Sequence, residues 1–203
     1  MSPRKAAVLR HTEDGRSLRE HLIATAVNLI SAGGTAELTV RAIARAAGVA
    51  DGVLYNHFAD KEELLANALA AHVRRVEAKL GELPVAGSGT VRDNLLAQLA
   101  YGLALHKEIL PAFAGLLARP AVLARFGELA EDGETWRDRL AGYLRAERDL
   151  GRLDGDVEAA AAILVGVCHE TVLSGLFPHG PRVVTSPDAN AVVTALLEGI
   201  TAR

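Results

Sequence analysis

Cysteine is nearly absent from this 203-residue chain: Cys168 stands alone, which excludes an intrachain disulfide and a zinc module built on several cysteines. Methionine and tryptophan occur once each, and aromatic residues make up 4%. A core without aromatic bulk must be built from Ala, Leu and Val, which suits close-packed helices better than sheets of β-branched and aromatic side chains. Long apolar runs are missing too. The longest, Ile109–Ala118 and Ala159–Cys168, are ten residues each, against roughly 18 for a membrane span, so no span is expected. No apolar stretch follows the basic residues of the opening MSPRKAAVLRHTEDGR, so no secretion signal is expected and the chain reads as soluble and cytoplasmic.

What is present is a charge asymmetry. The net charge is −3, yet residues 1–61 carry eight Lys/Arg against six Asp/Glu, and residues 62–203 carry 14 against 19. A mildly basic head on an acidic body is compatible with nucleic-acid binding by the head, because the field near the phosphates matters more than the total.

Periodicity predicts an all-α chain. Residues 1–16 are polar and aperiodic and read as a flexible arm. From Ser17, the spacing of Leu18, Leu22, Ala26, Leu29 and Ile30 marks an amphipathic helix, stopped at Gly33-Gly34. Thr39 is placed to cap a short helix over 40–47, a second short helix is expected from about Ala50 to Phe58, and a longer one from Asp60 or Lys61 to about Leu80. The turn-rich ELPVAGSG at 82–89 is the expected boundary of the head. Beyond it, helices are expected at about 90–107, 110–118, 120–130, 133–150, 156–177 and 187–201, punctuated by Pro111, Pro120, Gly133, Gly151, Gly155 and the Pro/Gly residues of 178–187.

Segment 39–61, TVRAIARAAGVADGVLYNHFADK, carries the most specific pattern: two short helices joined by Ala47-Gly48-Val49, with small residues at Ala44 and Gly48. A helix that enters a major groove about 12 Å wide must be short and braced from behind, and Val49, Leu54 and Phe58 supply the brace. Tyr55, Asn56 and His57 then offer hydroxyl, amide and imidazole groups outward, and Lys61 opens the next helix where its charge and the helix N-terminus can meet a phosphate.

These residues, with Thr39-Val40-Arg41, Ile43-Ala44, Leu54-Tyr55-x-His57-Phe58 and Lys61-x-x-Leu64-Leu65 in order across residues 17–72, closely resemble the TetR family of bacterial transcriptional repressors. The resemblance implies a three-helix DNA-binding head and a helical ligand-binding and dimerisation domain, divided here as 1–16 arm, 17–80 head with connecting helix, and 81–203 body. It implies phosphate contacts at Thr39, Tyr55, His57 and Lys61, and base-edge contacts at Arg41, Asp51, Val53 and Asn56. Three positions depart from the usual pattern. Ala50 stands where a capping Ser or Thr is common, Asp51 is acidic and either caps or accepts from a cytosine amino group, and Thr35 replaces a packing aromatic.

The body fits the same resemblance. Segment 157–177 is apolar nearly all round and must be covered on two sides, so a homodimer through helices 156–177 and 187–201 is expected. Tyr101, His106, Phe113, Trp136, Tyr143, His169 and Glu170 are the candidate ligand-binding residues, for a small, mostly apolar effector. Binding of that effector is expected to release a palindromic double-stranded operator. An enzyme is not expected: His169-Glu170 opens like the zinc motif HExxH, but Leu173 occupies the second histidine position, and no nucleophile elbow, phosphate loop or dinucleotide glycine motif occurs. No catalytic residue, metal or cofactor is expected. The alternative from another class is an all-α small-molecule-binding protein or enzyme whose head no longer reads DNA.

Overall fold

The computed structural model describes residues 17–35, 38–131, 135–176 and 188–200, and every regular element among them is a helix. In chain order these are α1 (Leu18–Gly33), α2 (Val40–Ala47), α3 (Asp51–Leu54), α4 (Lys61–Glu77), α5 (Val91–Ala114), α6 (Pro120–Glu131), α7 (Trp136–Asp149), α8 (Val157–Leu176) and α9 (Ala189–Glu198). The expected arm at 1–16 and the Pro/Gly punctuation at 178–187 lie outside the described residues.

Two expected helices merge. Pro111 sits inside α5 instead of ending it. A proline forfeits one backbone hydrogen bond, to the carbonyl four residues back. Here that residue is Lys107, exposed like Pro111 itself, so the released carbonyl can be solvated while Ile109 and Ala112 stay buried. The opposite correction applies to α3, expected to reach Phe58 but only four residues long. Ala50 supplies no side-chain cap, Gly52 lowers helix propensity, and the chain continues as tight turns, Asn56 N–H to the Val53 carbonyl (3.1 Å) and His57 N–H to that of Leu54 (3.0 Å).

The chain divides into two compact units, Met1–Arg75 with Pro111–Asp132, and Val76–Leu110 with Gly133–Arg203. The division expected from the sequence is linear; in the structure each unit draws on two separated stretches. The reason is burial. Ala112, Leu116 and Val122 share one apolar core with Leu22, Ala26 and Ile30 of α1, Ile43 and Ala44 of α2, Leu54 and Phe58, and Leu64, Leu65 and Leu69 of α4. Each leucine buried there contributes roughly 1.5–3 kcal/mol. Ser17 and Glu20 form a reciprocal capping box at the start of α1, which Gly34 closes with φ 71°. Thr35 takes the place of an aromatic by another route: it is 1% exposed, and its hydroxyl donates to the Ala112 carbonyl at 2.8 Å, satisfying one of the orphan acceptors at the end of α5.

In the second unit, Leu95, Leu99 and Leu105 of α5, Leu140, Ala141 and Leu144 of α7, Ala161, Leu164 and Cys168 of α8 and Val193 of α9 are buried. Burial pushes the Cys168 thiol up to about 12, so it behaves as a small apolar side chain. The turn-rich stretch expected as a boundary is pinned at its end. Glu147 is fully buried and accepts from the Tyr143 hydroxyl (2.8 Å) and the Gly87 N–H (3.3 Å), with Arg152 Nε at 3.4 Å. Arg152 also donates to the Gly89 carbonyl (2.6 Å), and Asn94 to that of Ser88 (2.7 Å).

Counting uninterrupted apolar runs misses one property of α8. Over Val157–Gly175 it is 19 residues long with mean hydropathy 1.5, long and apolar enough by length and composition to cross a membrane, and only 22% of that stretch is buried. Single polar residues break a run without lowering an average much.

Candidate nucleic-acid interface

The turn between α2 and α3 is set by Gly48 in the left-handed conformation, φ 71° and ψ 26°, where its N–H reaches the Ala44 and Arg45 carbonyls and Val49 N–H returns to Ala44 (3.0 Å). Behind the turn, Ile43, Ala44, Leu54 and Phe58 are at most 3% exposed. Arg19 of α1 braces the exit: its guanidinium lies 4.6 Å over the Phe58 ring, donates to the His57 carbonyl (3.3 Å) and pairs with Glu63 (2.7 Å). The polar residues are left outside.

Of the residues expected to contact DNA, Thr39, Arg41, Asp51, Tyr55, Asn56 and Lys61 are exposed, and Val53 and His57 are half-buried. Thr39 caps α2, accepting from the Ala42 N–H at 3.1 Å. Capping uses a lone pair and leaves the hydroxyl proton free to donate to a phosphate. Thr39, Arg41, Asp51, Tyr55 and Lys61 line a groove of about 720 Å³ together with Ala118, Arg119, Pro120 and Ala121. Arg119 lies far along the chain from the helix-turn-helix, so no local signal marks it. Asp51 does not cap α3; it pairs with Arg41, Oδ2 to Nε, at 3.5 Å.

At the start of α4 the helix pole is already occupied. Asp60 accepts from the Glu63 N–H (2.8 Å) and binds Arg125 (2.7 Å), while Glu63 accepts from the Ala59 N–H (2.6 Å). That backbone hydrogen bond, followed by Arg19, holds the Glu63 carboxyl below its ordinary range despite some burial. These carboxylates make the helix end itself a poorer site for an anion, and the exposed Lys61 ammonium stands beside it.

The structure separates the candidate ligand residues. His106, Trp136 and His169 come together in the second unit, His106 lying edge-on to Trp136 at 5.3 Å and to His169 at 4.8 Å. Gln98, which sequence reading missed, accepts from the Trp136 indole at 3.3 Å. Tyr101 is half-buried beside Arg139 (3.5 Å), which binds Glu77 (2.6 Å); Tyr143 belongs to the Glu147 network, and Glu170 is exposed. Phe113 does not join them. It packs against the core of the first unit, edge-on to Phe126 at 5.0 Å, because it lies in the stretch of α5 beyond Leu110.

Two predictions arise from this cluster. A Cβ on Gly102 would overlap Trp136 Cη2 and Cζ2 and lie 2.9 Å from Cζ3. The ring is 3% exposed, so it has little room to yield. Gly102→Ala should cost about 1–3 kcal/mol and shift the emission of Trp136, the chain's one tryptophan, which denaturant titration followed by fluorescence measures. His106 Nδ1 lies 2.7 Å from the Gly102 carbonyl, so that nitrogen carries the proton. Desolvation lowers the His106 pKa, partly offset by that carbonyl, with His169 lowering it further. A depressed folded-state value means the unfolded chain binds the proton first. Stability from His106 is thus present above about pH 6.5 and lost as pH falls through the folded value. Melting curves between pH 7.5 and 5 should show this loss, and His106→Gln should flatten it.

A short helix pair with a glycine turn, braced by a buried apolar wall and presenting polar side chains outward, defines a helix-turn-helix unit. Residues 22–68 match the family model of bacterial regulatory proteins, tetR family, so this segment of the chain is a tetR-type domain. Over 88 residues it is 36% identical to the HTH-type transcriptional repressor KstR of Mycobacterium tuberculosis, covering 41% of this chain and 40% of that protein. Over 88 residues it is 33% identical to the HTH-type transcriptional repressor NemR of Escherichia coli, covering 43% of each. The match thus spans less than half the length of these relatives. Among solved structures, the TetR family transcription regulator SCO0332 is 28% identical with a TM-score of 0.60, over 91% of this chain and 98% of that one. The regulator FadR from Bacillus subtilis, solved in complex with stearoyl-CoA, shares the fold at 22% identity and a TM-score of 0.59, over 90% and 99%.

Proposed function

We propose that the chain is a ligand-responsive transcriptional repressor that binds a palindromic operator as a homodimer and is released from it by a small, mostly apolar effector. The observation that carries this reading is the head surface, where Thr39, Arg41, Tyr55, Asn56 and Lys61 are all exposed over a wall of fully buried apolar residues. Residues 17–80 serve as the DNA-binding head with its connecting helix, and residues 81–203 as the effector-binding and dimerisation region, with 1–16 as an arm. Thr39, Tyr55, His57 and Lys61 hold phosphates, which positions the head; Arg41, Val53 and Asn56 reach base edges.

The dimer forms through α8 and α9. Ala159, Ala162, Ile163, Gly166 and Leu173 are exposed at helical spacing along α8, an apolar stripe that a second copy would cover. Exposed Glu170 lies on that same stripe and belongs to the interface, so the effector site is assigned to His106, Trp136 and His169; Tyr101 and Tyr143 are engaged elsewhere in the same unit, with Arg139 and Glu147. Phe113, in the core of the first unit, is not part of it. An effector releases the operator by favouring a dimer whose recognition elements no longer match half-sites about 34–36 Å apart. The protein acts in the cytoplasm, without a cofactor or a catalytic site.

The test is a gel shift with duplex DNA from upstream of the coding sequence, competed with unrelated duplex. Retention that survives competition supports the reading; retention lost equally to any duplex overturns operator recognition. For the release step, calorimetric titration of an effector with and without saturating operator must show reciprocal weakening, because linkage requires it.

A further inference from the structure

Asp51 is an anion on a surface that, in the DNA-binding reading, has to approach phosphates, and its partner in the structure is Arg41. Its Oδ2 lies 3.5 Å from Arg41 Nε, with the two side chains 54% and 86% exposed. So exposed a pair adds little to folding, because water already solvates both charges. Toward DNA it would work against affinity, since an exposed carboxylate offsets a cation that phosphates would attract. What the pair supplies is geometry. Arg41 is the second residue of α2 and Asp51 the first of α3, so each is anchored on its own side of the Gly48 turn. A guanidinium presents its N–H groups in a planar fork, and a carboxylate near Nε biases that plane while leaving both Nη groups unused by the pair. Two Nη donors match O6 and N7 of guanine in the major groove.

Resting on the DNA-binding reading above, we propose that Asp51 is a positioning residue for Arg41, orienting its guanidinium to select a guanine while touching no base itself. Two consequences separate this role from a direct contact. Removing the carboxylate must erase preference at the base pair that Arg41 reads, not at another. It must also strengthen binding to unrelated DNA, because the freed Arg41 charge becomes available to any phosphate.

The experiment selects bound sequences from a random duplex library with the full chain, unmodified and as Arg41→Ala, Asp51→Ala, Asp51→Glu and the Arg41→Ala/Asp51→Ala double variant. Each is also titrated against the selected site and a scrambled duplex. The expected result is loss of preference at one shared base pair in both alanine variants, with the double variant no worse than Arg41→Ala. Asp51→Ala should bind scrambled duplex about threefold tighter, and Asp51→Glu should regain part of the preference. A merely structural role for Asp51 would weaken all sequences alike and overturn the proposal. So would lost preference at a different base pair, as from direct contact with a cytosine amino group, or losses that multiply in the double variant. If the unmodified protein selects no sequence, the DNA-binding reading itself falls, and this assignment with it; selection by the unmodified protein together with any of the overturning results removes the assignment alone.

Discussion

Gly166→Arg is expected to convert a dimer into a monomer and to weaken operator binding by about 100-fold or more. Gly166 lies on the exposed apolar stripe of α8 between Ile163 and Leu173. A Cβ built there meets no atom of the described residues within 4 Å, so the side chain starts into open space. In the proposed dimer the same side chain would bury a guanidinium against the partner's apolar helix without a counter-ion, a penalty of several kcal/mol. Losing the second head removes the intramolecular advantage of the second half-site, which is commonly worth about 10²–10⁴ in affinity. Sedimentation velocity at micromolar concentration should show the change of mass, while far-ultraviolet circular dichroism retains the helical signal. Dimer retained with unchanged operator affinity would place the interface elsewhere. Ile163→Asp on the same stripe should reproduce the effect, which guards against a fault peculiar to one position.

How much of this was legible in the sequence differs between the two units for a physical reason. In the head, the determinants are local: Thr39 three residues before the amide it caps, Gly48 at the turn it makes possible, Leu54 and Phe58 one helical turn apart on the buried side. Residues of that kind can be read from spacing alone. Asp51 could not, because its partner is set by how α2 and α3 cross, and neither residue's neighbours reveal it. Thr35 looked like a loss of packing until the Ala112 carbonyl, 77 residues on, proved to be its acceptor. In the body, periodicity located most of the helices, though not the join of two into α5, and it did not give their partners. Phe113 and Trp136 are both large aromatics on apolar stripes, yet one packs with the first unit and the other lies against Gly102 in the second. Pro111 misled for a related reason: whether a proline ends a helix depends on which way the released carbonyl faces, and that is a tertiary fact.

Lys61→Ala is expected to weaken binding to operator and to unrelated duplex by the same factor, and to reduce the magnitude of the salt slope by about 1 per subunit. A helix N-terminus can hold a phosphate through its own amides and dipole, which would make the lysine dispensable. That route is disfavoured in α4 by the carboxylates around it. Asp60 caps the Glu63 amide, the Glu63 carboxylate holds the Ala59 amide, and Glu62 and Glu63 place two acidic groups in the first turn. Anions bound there would meet carboxylates before amides, so the contact rests on the Lys61 ammonium, 61% exposed and 3.5 Å from Glu62. Two further variants follow from that geometry. Glu62→Gln should tighten binding to every duplex by relieving Lys61 of its neighbour, whereas Lys61→Glu should reduce it well below Lys61→Ala. Arg41→Ala behaves differently: it should cost about 1–3 kcal/mol on the operator and little on unrelated DNA, because a base contact is lost only where the base is present. Titrations of each variant from 50 to 200 mM salt, on operator and scrambled duplex in parallel, distinguish the two classes. A Lys61→Ala protein with an unchanged salt slope would move the phosphate contact away from α4, and equal losses on both duplexes for Arg41→Ala would make it a second phosphate contact.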